Sequence, residues 1–247
     1  MHLDDSQSQL HTGFSPLDYT HVLYNPDSTT SQLLAFVTLS PILLFASYAA
    51  LVVWTRELTI ILCLIGQLLN EALNNPIKRY FQAERPLSSH GSGFAFPSSH
   101  SQYMAFFVTF LLLHFSRRHS FPSHGYRILD SLQWVVFVGV LILWAGAVAY
   151  SRIFLHYHTP IQVVGGLAVG SLFGALWYLL VEFIPLQRPQ SLLGQLRRTI
   201  LDSSVAQWIR LRDGWAVYTD GGHEAEWVRW REEWNRRKNV GLKVKRI

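Results

Sequence analysis

The sequence predicts an all-α fold, a polytopic membrane helical bundle with a candidate active site at one membrane face. Hydrophobic residues make up 49% of the 247 residues and the mean hydropathy is +0.17, which is too apolar for an average soluble domain. The apolar residues are gathered in long blocks, and short motifs rich in Lys, Arg, His and Ser stand at the ends of those blocks. This arrangement places polar chemistry at the rim of an apolar bundle.

Five apolar blocks are candidate transmembrane helices, and they cover residues 33–54, 58–73, 99–115, 132–150 and 161–183. The first, fourth and fifth approach the roughly 20 residues that cross a bilayer. The second and third are shorter and contain polar residues, which predicts that they continue out of the membrane or line a polar cleft. We expect an acidic N-terminal segment over residues 1–32, a transmembrane core over 33–184 and a basic, Trp-rich tail over 185–247.

The distribution of charge predicts the topology. Residues 1–32 contain aspartates but no Lys or Arg, whereas the turn at Arg56, the loop that begins at Arg117 and the tail are all basic. In a five-span chain these three basic regions share one side, which the positive-inside rule makes cytosolic. The acidic segment and the motif-bearing loops 74–99 and 151–160 are then expected in a lumen or outside the cell.

The tail combines Trp with basic residues. Trp227, Trp230 and Trp234 are spaced so that a helix would place all three indoles on one face, as suits the interface of an anionic leaflet. Nucleic-acid binding is disfavoured because the tail also carries acidic residues and is attached to a membrane domain. The end around Lys243 and Lys245 resembles a dilysine retrieval signal recognised by coat proteins; a merely solvated basic end is the alternative.

Three cations are the first part of the candidate site. Lys78 lies seven residues before Arg85-Pro86, and seven residues are two helical turns, so both side chains could point into one pocket. Arg152 would join them from the end of the fourth span. Guanidinium groups bind phosphate oxygens in a bidentate manner. The alternative is that these are interfacial residues of ordinary helix ends, which is our interpretation of Arg79.

Two histidines are the second part. Pro97-Ser98-Ser99-His100 precedes an apolar run, so it predicts a helix start at which free backbone N–H groups of Ser98 and Ser99 favour an anion. His100 would then meet the phosphate. His158 follows Ser151-Arg152, and we assign His156 a structural or interfacial role because the two imidazoles would diverge on a helix.

A polar stripe runs along the second span. Gln67, Glu71, Asn74 and Lys78 recur at helical spacing. Glu71 at membrane depth is a candidate for support of the site through pairing with Lys78 or another cation. A buried polar contact between helices is the alternative.

In their order and spacing, the three motifs resemble those of the type 2 phosphatidic acid phosphatase superfamily of membrane lipid phosphatases and vanadium haloperoxidases. The resemblance covers residues 33–184 and implies an antiparallel α-helical bundle. It also implies roles for five residues: phosphate binding by Lys78, Arg85 and Arg152, general acid catalysis by His100 and nucleophilic attack by His158.

Two departures narrow this resemblance. Ser99 replaces the usual Gly of the second motif, and Gln162 replaces the acidic residue that follows the nucleophilic histidine by four positions. Gln162 and the run from Asn70 to Lys78 look like the dolichyldiphosphatase branch, which hydrolyses dolichyl diphosphate to dolichyl phosphate in the lumen of the endoplasmic reticulum during protein N-glycosylation. We expect Gln162 to orient His158 through its amide oxygen.

Several alternatives stay open at this point. The motifs bind phosphate and do not specify the lipid, so a phosphatase for phosphatidate or a sphingoid-base phosphate is the nearest rival. A non-catalytic membrane scaffold would tolerate loss of a motif residue, and a transporter would be expected to contain internal repeats. The expected partners are a polyprenyl diphosphate and the bilayer, with no nucleic acid, no metal and no cofactor.

Overall fold

The computed structural model of the chain describes residues 15–16, 22–86, 89, 93–121 and 125–244. Long helices dominate these residues. The α-helices are α1 (Thr29–Thr38), α2 (Ser40–Thr55), α3 (Leu58–Phe81), α4 (Ser99–Arg117), α5 (Arg127–Phe154), α6 (Pro160–Tyr178), α7 (Ile184–Gln187), α8 (Leu192–Asp202), α9 (Ser204–Ile209), α10 (Gly214–Val217) and α11 (His223–Val244). Strands β1 (Ser15–Pro16) and β2 (Leu23–Tyr24) form a short antiparallel pair, so the all-α prediction holds for the core and not for this N-terminal hairpin.

Four helical stretches in the described part of the chain are long and apolar enough to cross a membrane: Thr29–Thr55, Leu58–Phe81, Arg127–Phe154 and Pro160–Gln187. They contain the first, second, fourth and fifth predicted spans. The second extends beyond the predicted residue 73, as its polar residues suggested. Ser28 begins the first stretch by accepting a hydrogen bond from the Ser31 backbone N–H. The chain is therefore a multi-pass membrane protein.

The third predicted span forms α4, which is less apolar because it lies inside the bundle. Its 19 residues give a length of about 28 Å, close to the thickness of the bilayer core. Residues 101–108 are all buried. Helix α4 therefore packs against other helices, whereas the remaining spans also face the bilayer. Its Gln102 is bonded to Asn70 and Asn74 of α3, with Asn74 Nδ2 at 2.7 Å from Gln102 Oε1. These bonds explain Asn74 of the predicted stripe, whereas the buried amide of Gln67 has no hydrogen-bond partner among the described residues.

Close packing of α4 against α6 fixes the centre of the bundle. The two helices run in the same direction, and glycines on α6 face backbone carbonyls of α4. A Cβ atom at Gly166 would lie 2.5 Å from Ser98 O, and one at Gly170 would lie 2.1 Å from Gln102 O. Such distances leave no room for a methyl group, so small residues at four-residue spacing let the backbones touch.

The tail packs on the end of the bundle opposite the motifs. Helix α6 continues through a π-helical turn, Leu179–Phe183, into α7, so the expected boundary at residue 185 lies within a continuous helix. Arg197 of α8 bonds the fully buried Glu182 at 3.2 Å and Asp213 at 2.7 Å. Both partners of Arg197 are buried, which means that the first part of the tail is anchored to the bundle.

The far part of the tail forms the predicted helix. Trp227, Trp230 and Trp234 lie on α11, and the rings of the last two are stacked with centroids 6.0 Å apart. All three indoles are exposed. Their contact with a membrane interface stays a prediction. Lys245 and the residues after it lie outside the described residues, as do residues 1–14 of the acidic N-terminal segment.

Gly170→Ala should destabilise the protein because the new Cβ atom would force α4 and α6 apart. Overpacking of this kind costs about 1–3 kcal/mol, so the midpoint of thermal unfolding in detergent should fall. Gly146→Ala on α5 is the matched control, since its Cβ would meet nothing within 4 Å. The control should be neutral or gain up to about 1 kcal/mol from helix propensity. Equal midpoints for the two variants would contradict the packing argument.

Candidate active site

The first motif lies at the end of α3. The helix ends at Phe81, and Gln82 adopts a left-handed conformation with φ of 46°. Lys78 is therefore on the last turn, whereas Arg85 lies in the following loop. This differs from the expectation that Arg85 lies two helical turns beyond Lys78, because the helix ends between them.

Arg85 reaches the third motif directly. Its Nη1 donates to Tyr157 O at 3.1 Å, and its Nε donates to Gly93 O at 3.1 Å. Ser89 Oγ also donates to Tyr157 O, at 3.4 Å. Arg85 thus holds the loop after α3 against the turn that carries His158.

The second motif begins α4, as predicted. Ser98 is fully buried; its backbone N–H donates to Gln162 O at 3.0 Å and its hydroxyl accepts from Ser101 Oγ at 3.1 Å. The predicted role of Ser98 as a backbone donor to phosphate is therefore wrong, because that N–H is already used within the protein. The backbone N–H groups of Ser99 and His100 precede the first bond of the helix, from Gln102 N to Ser98 O, and a helix terminus of this kind favours an anion.

Arg152 is a buried cation without a carboxylate partner. Its side chain is on the last turn of α5 with the residue 5% exposed, and its guanidinium carbon lies 4.1 Å above the centroid of the Tyr157 ring. Its buried Nε has no hydrogen-bond partner among the described residues. Neither Arg152 nor Lys78 is in an ion pair within the described part of the chain. A buried arginine in this condition requires an anion from outside the protein.

The turn after α5 separates the two histidines. The backbone N–H groups of Tyr157 and His158 both donate to Arg152 O, at 3.1 Å, and His156 has a positive φ of 58°. This turn leaves His156 exposed and His158 only 3% exposed. The irregular backbone therefore selects His158 for the site and leaves His156 at the surface.

Gln162 fixes the protonation of His158. Its Oε1 accepts from the Thr159 backbone N–H at 3.0 Å and lies 3.3 Å from His158 Nδ1, while its Nε2 donates to Glu84 O at 2.9 Å. Since Oε1 can only accept, Nδ1 must carry the proton. The lone pair of His158 is then on Nε2, which is the nitrogen left to attack a substrate.

The electrostatic environment keeps His158 neutral. Burial, and then the positive charges of Arg152 and Arg85, lower the pKa of His158 to about 3, while the hydrogen bond with Gln162 acts in the opposite direction. Lys78 also acts on His158, and His100 is within electrostatic range of Arg152, His158 and Lys78. Above about pH 3 the imidazole of His158 is therefore in its neutral form. Five predicted site residues thus lie in one region of the molecule, namely His158, His100, Arg152, Arg85 and Lys78.

Glu71 interacts electrostatically with Lys78, the partner that the sequence predicted, although the two side chains are not in direct contact, and its support of the site stays a prediction. It is exposed and takes part in no ion pair among the described residues. It lies beside His100 on the wall of a groove of about 320 Å³ between α2, α3 and α4, together with Tyr103, Gln67 and Phe45. We name this space the active-site groove. In the residues that the structure describes, no cluster of three His, Cys, Asp or Glu side chains could hold a metal ion.

The characteristic sequence of the PAP2 superfamily matches residues 56–185 of this chain. The chain belongs to the PAP2 superfamily. Its curated relatives include a putative dolichyldiphosphatase of Neurospora crassa (32% identical, over 96% of this chain and 98% of that protein), dolichyldiphosphatase 1 of Homo sapiens (33%, over 97% and 98%) and a dolichyldiphosphatase of Saccharomyces cerevisiae (36%, over 68% and 71%). The predicted superfamily and its dolichyldiphosphatase branch are confirmed.

These alignments also correct the extent of the resemblance. Because the Neurospora and human proteins align over nearly the whole chain, the similarity extends beyond residues 33–184 into both flanking segments. A solved structure, a transmembrane PAP2-type phosphatidylglycerolphosphate phosphatase of Bacillus subtilis, aligns with a TM-score of 0.48 and 21% identity over 59% of this chain and 73% of that one.

Sequence reasoning missed Tyr157 and Glu84. The Tyr157 carbonyl accepts from Arg85 and its ring lies under Arg152, while its hydroxyl accepts from the backbone N–H of Leu23 at 2.9 Å. The Glu84 carbonyl holds the amide of Gln162. The sequence did contain a signal for Tyr157, because an aromatic residue stands directly before His158, the candidate nucleophile of this PAP2 protein. No signal existed for a backbone carbonyl.

Gln162 variants should separate orientation of His158 from its charge. Gln162→Leu leaves the buried Nδ1–H unpaired and should lower kcat/KM for a phosphoester substrate by about tenfold to a hundredfold. Gln162→Glu keeps an acceptor and adds a negative charge that stabilises the imidazolium, so it raises the pKa of His158. The acidic limb of the pH–rate profile should then move to higher pH while activity is retained. Wild-type kinetics in Gln162→Leu would mean that another group orients the histidine.

Proposed function

We propose that this PAP2 protein hydrolyses dolichyl diphosphate to dolichyl phosphate and inorganic phosphate through a phosphohistidine intermediate. The observation that carries the proposal is a neutral, oriented His158 beside Arg152, a buried cation that has no carboxylate partner among the described residues, with Arg85 and Lys78 also acting on the imidazole. Such a site is built for a phosphate group that supplies the missing negative charge. The names of the curated relatives, dolichyldiphosphatases, support the choice of lipid.

In the first step, Nε2 of His158 attacks the terminal phosphorus of the diphosphate. The anhydride bond to the bridging oxygen breaks as the N–P bond forms, and His100 gives its proton to that oxygen as dolichyl phosphate departs. Lys78, Arg85 and Arg152 neutralise the equatorial oxygens, and the backbone N–H groups of Ser99 and His100 add two donors. Hydrogen bonding to Gln162 keeps the ring in place as it becomes cationic.

In the second step, water attacks the phosphorus of the phosphohistidine. His100, now neutral, takes a proton from that water, the N–P bond breaks and inorganic phosphate is released. The same side chain therefore serves first as acid and then as base. His158 returns to the neutral form that its surroundings favour.

The active-site groove supports a lipid substrate. It opens between helices that face the bilayer, and its wall carries the exposed apolar side chains of Ile42, Phe45 and Leu68 beside His100. A prenyl chain could leave the diphosphate along this groove without passing through water. The preference for a lipid over a soluble phosphoester follows from this position.

The substrate assignment is tested by assaying the purified protein in detergent with dolichyl diphosphate, dolichyl phosphate and phosphatidate side by side. We expect phosphate release from dolichyl diphosphate and slower release from the other two. Preferential hydrolysis of phosphatidate would move the protein to another lipid phosphatase activity. No release from any substrate would favour the non-catalytic scaffold.

His158→Ala should abolish turnover, and quenching a reaction with labelled substrate should trap acid-labile, base-stable phosphate on the wild type only. His100→Ala should slow departure of the leaving group by roughly 10²–10⁴-fold, the range typical of general acid catalysis. EDTA should have no effect, because cations of the chain itself neutralise the phosphate. Equal label on His158→Ala would refute the assignment of the nucleophile.

We also propose that the protein resides in the endoplasmic reticulum membrane, with its active site lumenal and its C-terminus cytosolic. The grouping of the basic regions at the end of the bundle away from the motifs supports this orientation: Arg212 N donates to Arg56 O at 3.0 Å, and Arg118 Nη2 donates to Trp215 O at 2.7 Å. The dilysine-like end, as a possible ligand of coat proteins, agrees with a cytosolic tail.

A glycosylation acceptor inserted in a long linker between Leu87 and Gly93 should be modified in microsomes, because that loop would be lumenal. One inserted between Ser120 and Gly125 should not, because that loop would be cytosolic. Gel mobility before and after deglycosylation measures both. The reverse pattern would invert the proposed topology.

A further inference from the structure

A second cavity lies deeper in the bundle, on the side away from the active site. Its volume is about 320 Å³, and residues of α2, α3, α4 and α5 line it together with Trp215 of the tail. We name it the distal cavity. Aromatic rings form much of its wall, among them Tyr48, Phe107, Phe110 and Phe137.

The distal cavity continues the line of the active-site groove. On α4 the groove is lined by His100 and Tyr103, and the cavity by Phe107, Phe110 and His114. Each step along this series is three or four residues, one helical turn. The series covers 14 residues, or about 21 Å of helix at 1.5 Å per residue.

The other two helices show the same succession. On α3, which runs the opposite way, Glu71 and Gln67 line the groove, and Cys63 and Thr59 line the cavity. On α2, Phe45 of the groove is followed by Tyr48 and Leu51 of the cavity. The same three helices therefore line both spaces, and along α3 and α4 the cavity lies further from His100 than the groove does.

Hydrogen bonds occupy most polar side chains of the cavity wall, whereas the two buried ring nitrogens of His114 have no hydrogen-bond partner among the described residues. Tyr48 Oη lies 3.3 Å from Cys63 Sγ, and Thr59 Oγ1 donates to Glu182 Oε1 at 3.0 Å. The space is therefore lined by hydrocarbon and aromatic surface. Such a lining suits an apolar chain and offers little to a headgroup or an ion.

The tail closes the far end of this space. The ring of Trp215 meets the ring of His114 edge to face, with centroids 4.7 Å apart, and its Nε1 donates to His119 Nδ1 at 3.1 Å. The neighbouring Gly214 N–H donates to Glu57 Oε2 at 2.9 Å. These bonds hold the indole as a wall of the cavity.

We propose that the distal cavity binds prenyl units of the lipid substrate several units away from the diphosphate, with Trp215 as its end wall. This inference rests on the proposed function, because the chain it places is that of a polyprenyl diphosphate. It assigns selectivity for long prenyl chains to contacts remote from the reacting phosphorus. It also gives the tail a part in substrate binding.

A matched pair of variants on α2 tests the site. Ser47→Phe fills the cavity that Ser47 lines, whereas Ala46→Phe places the same ring on the exposed face of the same helix. The measured quantity is kcat/KM for a long polyprenyl diphosphate divided by that for geranyl diphosphate, whose chain is too short to reach the cavity. This ratio should fall about tenfold in Ser47→Phe, since displacing about two methylene groups from apolar contact is enough for that loss.

Ala46→Phe should retain the wild-type ratio. Trp215→Ala should also lower the ratio, while Trp208→Ala, an exposed tryptophan of the same tail, should not. Hydrolysis of geranyl diphosphate by each preparation checks that the variant has folded. A ratio unchanged in both Ser47→Phe and Trp215→Ala would refute the distal cavity as a chain site.

Photo-crosslinking of the wild-type protein tests the chain-binding site without the use of variants. A long polyprenyl diphosphate with a diazirine midway along its chain should label peptides containing residues 107–115 on illumination. Labelling confined to lipid-facing residues would overturn the proposal. If the wild type hydrolysed neither prenyl diphosphate, both the proposed function and the proposed chain-binding site would be refuted. Normal hydrolysis without labelling of the cavity residues would refute the chain-binding site alone.

Discussion

The contact between the backbones of α4 and α6 is the constraint on which the site depends. Gly166 and Gly170 allow it, and the bond from Ser98 N–H to Gln162 O lies at its end. Because α4 begins the second motif and α6 follows the third, this contact brings His100 and His158 to one membrane face. A larger residue on α6 would separate His100 from His158 before it affected either side chain directly.

Charge imbalance is the second constraint, and it follows from the first. The closed packing places Arg152 beside His158 with no carboxylate partner among the described residues, and Gln162 adds no negative charge. In the proposed function a phosphate ligand supplies the missing negative charge and so offsets this cost. A neutral Gln162 keeps His158 as free imidazole, where a carboxylate would favour the cation.

The opposite end of the bundle is held by charges of both signs. Arg197 lies between Glu182 and Asp213, and Arg212 bonds Glu57 at 2.6 Å. These pairs join the first part of the tail to the start of α3 and to the π-helical turn after α6, so that part of the tail is anchored to the bundle. The end of the bundle that carries the motifs thus offers unpaired positive charge to an anion, whereas the charged residues at the opposite end are paired with one another.

The sequence by itself determined the membrane class and the helices and indicated the candidate site residues, because apolar blocks and motif spacing are local properties of the chain. It even indicated Gln162 as the partner of His158. Only the tertiary structure decided that Ser98 is used internally, that Arg85 binds the Tyr157 carbonyl and that Glu71 faces a groove. Those outcomes depend on where helices end and on which backbone groups meet across the bundle, and such long-range contacts leave no periodic pattern in one sequence.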